Sequence, residues 1–412
     1  MPKLLQSDIC ILGAGPAGLT AAIHLGRMGI PCMLIDATGP SRDKICGDGL
    51  SGKVLSVLGQ TDPILLSGLG TIETASPSYA VRFYSPRLRM AEIGFQSSDP
   101  LIPPGFVCRR KIFDQFLLEK ATAFPTVSYH SNTLIDRISR DGEKFRLASA
   151  NGELEVMTPL LLMATGSGRK VIHQVMPAYP GMEEEGIGVR AYFDHVTGSD
   201  QKNAIEIHFL RELLPWYLWI FPFGNGSANV GLALPMALAK KSRESLKGLL
   251  LTLIKKYPYL RKRFSGATMH GRIEAQRLPY FTGRMSVSGD NYMLLGDAAH
   301  LVDPFTGEGI SNAMYSGMIA ANAAARCLEK RDYSHSATTR YEEALYDKLG
   351  EELELGKQLQ ELARKPMLLN LVIGRASKNE KVRQMLEEML YSMNSKGKLS
   401  QPMFYLKLLL GI

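Results

Sequence analysis

The chain has 412 residues, of which 45% are hydrophobic and 21% charged, the proportions of a globular protein with room for roughly two to three domains. Its formal net charge of +8 suits nucleic acid, an anionic membrane surface or an anionic substrate, but no Lys/Arg cluster is interleaved with aromatics, which argues against nucleic acid. Five scattered cysteines without a CxxC pair argue against a disulfide framework and a structural zinc site, no apolar run approaches the ~18 residues of a membrane span, and an acidic residue interrupts what would be the apolar core of a signal peptide, so a cytoplasmic protein is expected.

The first segment, "SDICILGAGPAGLTAAIHLGRMGIPCMLIDA", predicts a strand, a tight turn, a helix and a second strand. Gly13, Gly15 and Gly18, with Ala17 among them, form GxGxxG, in which glycines allow a tight turn, close approach to a pyrophosphate and close helix packing. Asp36 closes the second strand, where a carboxylate can accept from an adenosine ribose. An ordinary strand–helix turn is the plainer alternative. The fingerprint alone does not separate a nicotinamide from a flavin.

The next stretch, "KICGDGLSGKV", sets Cys46 between a lysine and two glycines. Farther on, Tyr217, Trp219 and Phe221 alternate and predict one face of a strand, ending at Pro222. They form either a packed sheet face or an apolar wall for a long ligand. "NYMLLGDAAHLVDPFTGEGISNAMYSGMIAANAAA" then predicts a strand, Gly296-Asp297, a loop containing Gly307, and a small-residue helix from Gly309 and Ile310. Asp297 there can bind a polyol hydroxyl, or can simply cap a helix. From about residue 331 the pattern is helical, and residues 361–412 hold nine Lys/Arg against four Asp/Glu, with the Leu-rich end "FYLKLLLGI". That region reads as packing against the other domains, or as a lid that touches membrane.

GxGxxG followed by the distant GD motif resembles the FAD-dependent hydroxylase superfamily. "RDKICGDGLS", "VCRRKIFDQFLLEKA" and "WYLWIFPFGNGSANVGLAL" narrow the resemblance to the geranylgeranyl reductase family, over residues 7 to 330. It implies an α/β fold with a Rossmann-type FAD-binding domain of the GR2 kind at 1–75, 105–170 and 285–330. An antiparallel-sheet substrate domain is inserted at 76–104 and 171–284, and a helical region follows at 331–412. FAD is the implied cofactor, with no metal. The resemblance places Arg42, Cys46, Gly47 and Gly49 beside the flavin, Arg110 against its nucleotide and Leu134 at the adenine. Cys46 then lines the isoalloxazine pocket, unless it is only a small buried hydrophobe. A thiol, a flavin-bound water or a tyrosine would each serve as the acid, and the sequence does not choose.

The implied reaction is saturation of a prenyl lipid's double bonds by hydride from reduced flavin, with Tyr217, Trp219, Phe221, Pro222 and Gly231 toward the substrate. A peripheral contact with the inner face of the membrane goes with a lipid substrate. Two departures matter. The family's G-x-G ends here as Gly231-Leu232-Ala233, and Thr165-Gly166 stands where monooxygenases of the superfamily carry Asp-Gly. The second weakens the case for direct reduction by NAD(P)H, so NAD(P)H or another reduced carrier is the donor. The alternatives are an FAD monooxygenase or halogenase, and a lipid- or quinone-binding electron-transfer flavoprotein.

Overall fold

A computed structural model describes residues 2–39, 42–95, 101–181, 185–241 and 244–391. The nucleotide-side core is a six-stranded sheet in the order Ser288–Gly289, Tyr292–Leu294, Leu160–Met163, Ile9–Leu12, Cys32–Ile35 and Val127–His130. All its pairings are parallel except the first. Every residue of Ile9–Leu12, Cys32–Ile35 and Leu160–Met163 is buried, as unbroken apolar runs require in a sheet covered on both faces. Helices Pro16–Arg27 and Ile310–Lys330 pack against each other so closely that a Cβ on Gly317 would stand 2.1 Å from the Ala17 carbonyl oxygen. The small-residue pattern of the second helix is therefore a packing requirement. A four-stranded sheet of Lys3–Gln6, Leu154–Thr158, Lys144–Ser149 and Ile135–Asp141 flanks this core.

The second large sheet has seven strands in the order Thr268–Leu278, Gly186–Asp194, Ala228–Pro235, Leu218–Pro222, Ile205–His208, Ala80–Tyr84 and Met90–Gly94. It is antiparallel, apart from the parallel junction of Ile205–His208 with Ala80–Tyr84. That junction joins two distant pieces of chain, so no hairpin forces its direction. One face buries Val189, Leu218, Ile220 and Val230 against Leu250, Leu253 and Leu260 of helices Leu246–Lys256 and Pro258–Arg263. The opposite face looks toward the nucleotide-side core. A three-stranded ladder of Gly49–Leu50, Phe106–Val107 and Ser76–Pro77 stitches the two halves together.

Val171, Ile172 and Tyr179, at the start of the segment expected to belong to the substrate domain, pack into the nucleotide-side core. The short helix Ile172–Val175 carries the buried Ile172 back onto this core. Helix His335–Ala363 lies along Ile310–Lys330, with the Tyr341 hydroxyl donating to Leu294 O at 2.6 Å. Helix Pro366–Ala376 buries Leu369, Ile373 and Ala376 against Val81, Ala91 and Ile93 of the sheet edge. The Leu-rich end at 404–412 lies outside the described residues. Among those described, no helix is long and apolar enough to cross a membrane.

Candidate cofactor and substrate site

The glycine turn has no room for side chains. Gly13 has φ +112°, and a Cβ there would meet Ala164 O at 2.2 Å; one on Gly18 would meet Gly13 O at 2.0 Å. Gly15 caps the helix without a side-chain partner, leaving its first N–H groups directed outward, as a phosphate site requires. The Arg42 guanidinium lies over Gly15, with Nη1 3.3 Å from the position of a Cβ. Ala17 faces Gly296 and Gly317, so its part is in joining the two motifs. The buried Asp36 carboxylate accepts from Ala14 N at 2.6 Å, Thr38 N at 2.8 Å and Thr38 Oγ1 at 2.6 Å, with Arg42 at 3.7 Å. It locks the turn and also lines the neighbouring cavity. Leu134 shares the rim of this cavity with Asp36 and Arg42. Arg169 and Arg277 line the same cavity and pair with the buried Glu185 at 3.0 and 3.6 Å. The sequence offered no sign of this pair, because its members come from distant segments.

The loop 42–50 links the two motifs. Lys44 forms an ion pair with Asp297. Burial pushes the Asp297 carboxyl up, but Lys44, Arg110 and Arg42 outweigh it and hold the group below the usual carboxylate range. Asp297 is thus engaged across the site. Gly296 has φ +61° and is wedged between Ala17 and Ala313. Gly307, with φ +68°, would place a Cβ 3.0 Å from the Tyr217 hydroxyl, while Gly309 precedes the buried Ile310 at the start of the last core helix. These glycine cradles and the buried carboxylate fit a flavin nucleotide.

Cys46 is half-buried and lines the cavity, whereas the other four cysteines are buried. Of the neighbouring cations, Lys44 goes to Asp297 and Arg42 to Asp36; the side chain that reaches Cys46 is Arg110, itself held by Asp114 through two bonds of 2.8 Å. Gly47 and Gly49 lie close against the aromatic wall. A Cβ on either would lie 2.9 to 3.0 Å from Phe221, so their missing side chains accommodate that aromatic edge. Between them Asp48, fully buried at φ 67°, went unnoticed in the sequence. An acidic residue between two glycines reads as a solvent-facing turn.

The cavity beside this loop is walled by Tyr217, Trp219 and Phe221, with ring centroids 6.5 and 6.4 Å apart. Tyr217 donates to the Thr306 carbonyl, tying the wall to the 304–310 loop, and burial pushes its hydroxyl up. Phe83, Ile207, Phe209 and Phe305 extend the apolar lining. The alternation in 81–83 and 205–209 was the available signal for the strand residues among them. Pro222 is absent from the lining, since it shares the parity of Leu218 and Ile220 on the strand's other face. Gly231 lies beneath the Trp219 indole, where a Cβ would stand 2.2 Å from the ring, so it serves the wall and offers no surface of its own. Ala233, in place of the second glycine, puts its methyl group into the lining. A polar corner closes one end, where Ser51 Oγ donates to Glu308 at 2.5 Å and Lys53 pairs with Glu352.

Residues 6–62 match the family described as FAD binding domain. The chain is 26% identical over 350 residues to a digeranylgeranylglycerophospholipid reductase of Thermoplasma volcanium, covering 83% of each chain. It is 29% identical over 344 residues to a menaquinone reductase of Mycobacterium tuberculosis, covering 79% of this chain and 78% of that one. Among solved structures, a geranylgeranyl bacteriochlorophyll reductase-like protein of Thermoplasma acidophilum superposes with TM-score 0.80 at 21% identity, covering 94% of this chain and 97% of that chain. A flavin-dependent brominase superposes with TM-score 0.72 at 19% identity, covering 93% of each. At these identities the two structures speak to the fold.

Proposed function

We propose that this chain, a geranylgeranyl reductase-like FAD-dependent oxidoreductase, saturates double bonds of a prenyl lipid. The observation that carries the reading is the continuous aromatic wall of Tyr217, Trp219 and Phe221 facing a cavity whose other side is the Lys44–Asp297 loop pair. A reduced flavin, when bound, supplies the hydride. The residues then have separable tasks. The glycine turn and free helix N–H groups hold phosphate, Arg42 adds positive charge there, and Asp297 takes a polyol hydroxyl in competition with Lys44. Cys46 and Arg110 border the reacting end, and the apolar wall excludes water while aligning a chain of isoprene units. The names of the relatives support the substrate class, since a digeranylgeranyl lipid and a menaquinone both carry isoprenoid chains. Exposed Met367 beside Lys365 and Arg364 is consistent with peripheral contact with an anionic membrane surface from which such a lipid is drawn.

The test is mass spectrometry of product. Chemically reduced enzyme, incubated anaerobically with a geranylgeranyl lipid, should yield product that has gained hydrogens, and short prenyl alcohols should react poorly because they leave the wall uncovered. Gain of oxygen or halogen by an aromatic compound under air, with every prenyl lipid untouched, would transfer the assignment to a monooxygenase or halogenase. Flavin that cycles with quinones while all candidate lipids stay unchanged would point to electron transfer.

A further inference from the structure

Asp48 and Asn229, both without solvent exposure, join the cofactor-side loop to the aromatic wall. Asp48 Oδ1 accepts from Arg110 N at 3.1 Å, and Oδ2 accepts from the Tyr192 hydroxyl at 2.8 Å and Asn229 Nδ2 at 2.7 Å. The Asn229 amide also donates to the Cys46 carbonyl at 2.7 Å, while its Oδ1 accepts from the Trp219 indole N–H at 2.9 Å. One amide therefore reads three groups at once: the backbone of Cys46, the carboxylate of Asp48 and the ring of Trp219. Tyr192 is itself held, with the guanidiniums of Arg109 and Arg190 lying over its ring at 4.5 Å and 4.3 Å from the centroid. Arg190 holds the same loop a second time through Asp43 at 2.8 Å.

We propose that Asp48 and Asn229 are positioning residues that hold Cys46 and Trp219 at one fixed spacing across the reaction chamber. The proposal rests on the prenyl-reductase reading of that chamber. A satisfied buried network rigidifies what it joins, and removal of a partner leaves polar groups stranded in a low dielectric. Both ends of this network, Cys46 and Trp219, are residues of the cavity lining and come from distant segments of the chain. In Asp48→Asn an amide hydrogen must face either the Arg110 N–H or the sheet-side donors. In Asn229→Ala the Cys46 carbonyl and the Trp219 indole lose their common partner.

Because the other four cysteines are buried, alkylation of the purified holoprotein reports on Cys46. Asp48→Asn and Asn229→Ala should each speed that alkylation and lower kcat for prenyl-lipid reduction by about tenfold, the scale of one lost hydrogen bond. KM should rise in Asn229→Ala, where Trp219 is released, and should stay near the wild-type value in Asp48→Asn. Tyr192→Phe removes one hydroxyl with little change of volume, and should shift alkylation in the same direction by less; it carries the test if the other two fail to fold. Lower thermal stability with unchanged alkylation and kcat would make the network merely structural and overturn the proposal. Faster alkylation in variants of an enzyme whose wild type reduces no prenyl lipid would uphold the positioning and sink the reductase reading instead.

Discussion

Asp297 sits fully within the site, and its carboxylate is held ionised by Lys44 despite burial. Asp297→Ala should leave the Lys44 ammonium unpaired and a ribityl hydroxyl without its acceptor, lowering FAD affinity by ~1–3 kcal/mol. The ratio of flavin to protein absorbance after gel filtration measures this, and full occupancy would remove Asp297 from the polyol. Trp219 presents a different case, since it contributes apolar area with a single polar handle. Trp219→Ala should weaken binding of a long polyprenyl lipid by ~1–4 kcal/mol, with the flavin spectrum unchanged. Titration of the holoprotein with lipid should show this loss for long chains and a much smaller one for short prenyl alcohols. Glycines, both carboxylate motifs and the wall aromatics were legible residue by residue, because each lies in a local pattern. Asp48, Arg169 and Arg277 were not, because their meaning depends on partners that the fold brings from elsewhere.

Strand Ala228–Pro235 runs beside Leu218–Pro222 with Trp219 opposite Gly231, and this register decides how the wall is built. A glycine in a strand interior weakens it unless something needs the space, and here the indole fills that space. Gly231→Ala would force a methyl into both the Trp219 ring and the Val189 carbonyl, each 2.2 Å from the new carbon. The overpacking should cost ~1–3 kcal/mol. A lowered Tm together with altered indole fluorescence is the expected outcome, and wild-type values of both would contradict the packing. Period-two alternation revealed the strand and its faces; it did not reveal which glycine lay under which ring. Register between strands is settled by pairing, and the sequence of one strand does not contain its partner.

Two buried carboxyls give the molecule a pH signature. Burial raises Asp48 from 3.8 to about 6 despite hydrogen bonds from Asn229, Tyr192 and Arg110, and raises Asp303 likewise to about 6 against its bonds from Thr306. The folded state therefore binds protons that the unfolded state has released between pH 3.8 and about 6. The contribution of these groups to stability is fully present below that window and is lost as pH rises through it. Asp48→Asn removes one of the two, so its Tm should lose less than the wild type's on going from pH 5 to about pH 7. Equal slopes for the two proteins in that range would show that Asp48 does not titrate there. The α/β layout and the helical C-terminal region were visible in the order of patterns along the chain. The parallel junction between 80–84 and 205–208 was not, because it forms between segments with no hairpin to announce it.

The strand Tyr292–Leu294 lies beside Leu160–Met163 in the nucleotide-side sheet, and Asp297 follows it immediately. During synthesis the glycine turn leaves the ribosome long before its partner carboxylate exists, and the growing chain must keep an open sheet edge until the last third arrives. A nascent chain cut short anywhere before residue 291 carries the phosphate cradle without the strand and motif that complete it. Such chains should retain little flavin. Arrested translation in the presence of FAD, read by flavin fluorescence polarisation at increasing chain length, should show binding only once the chain has passed residue 330 and emerged.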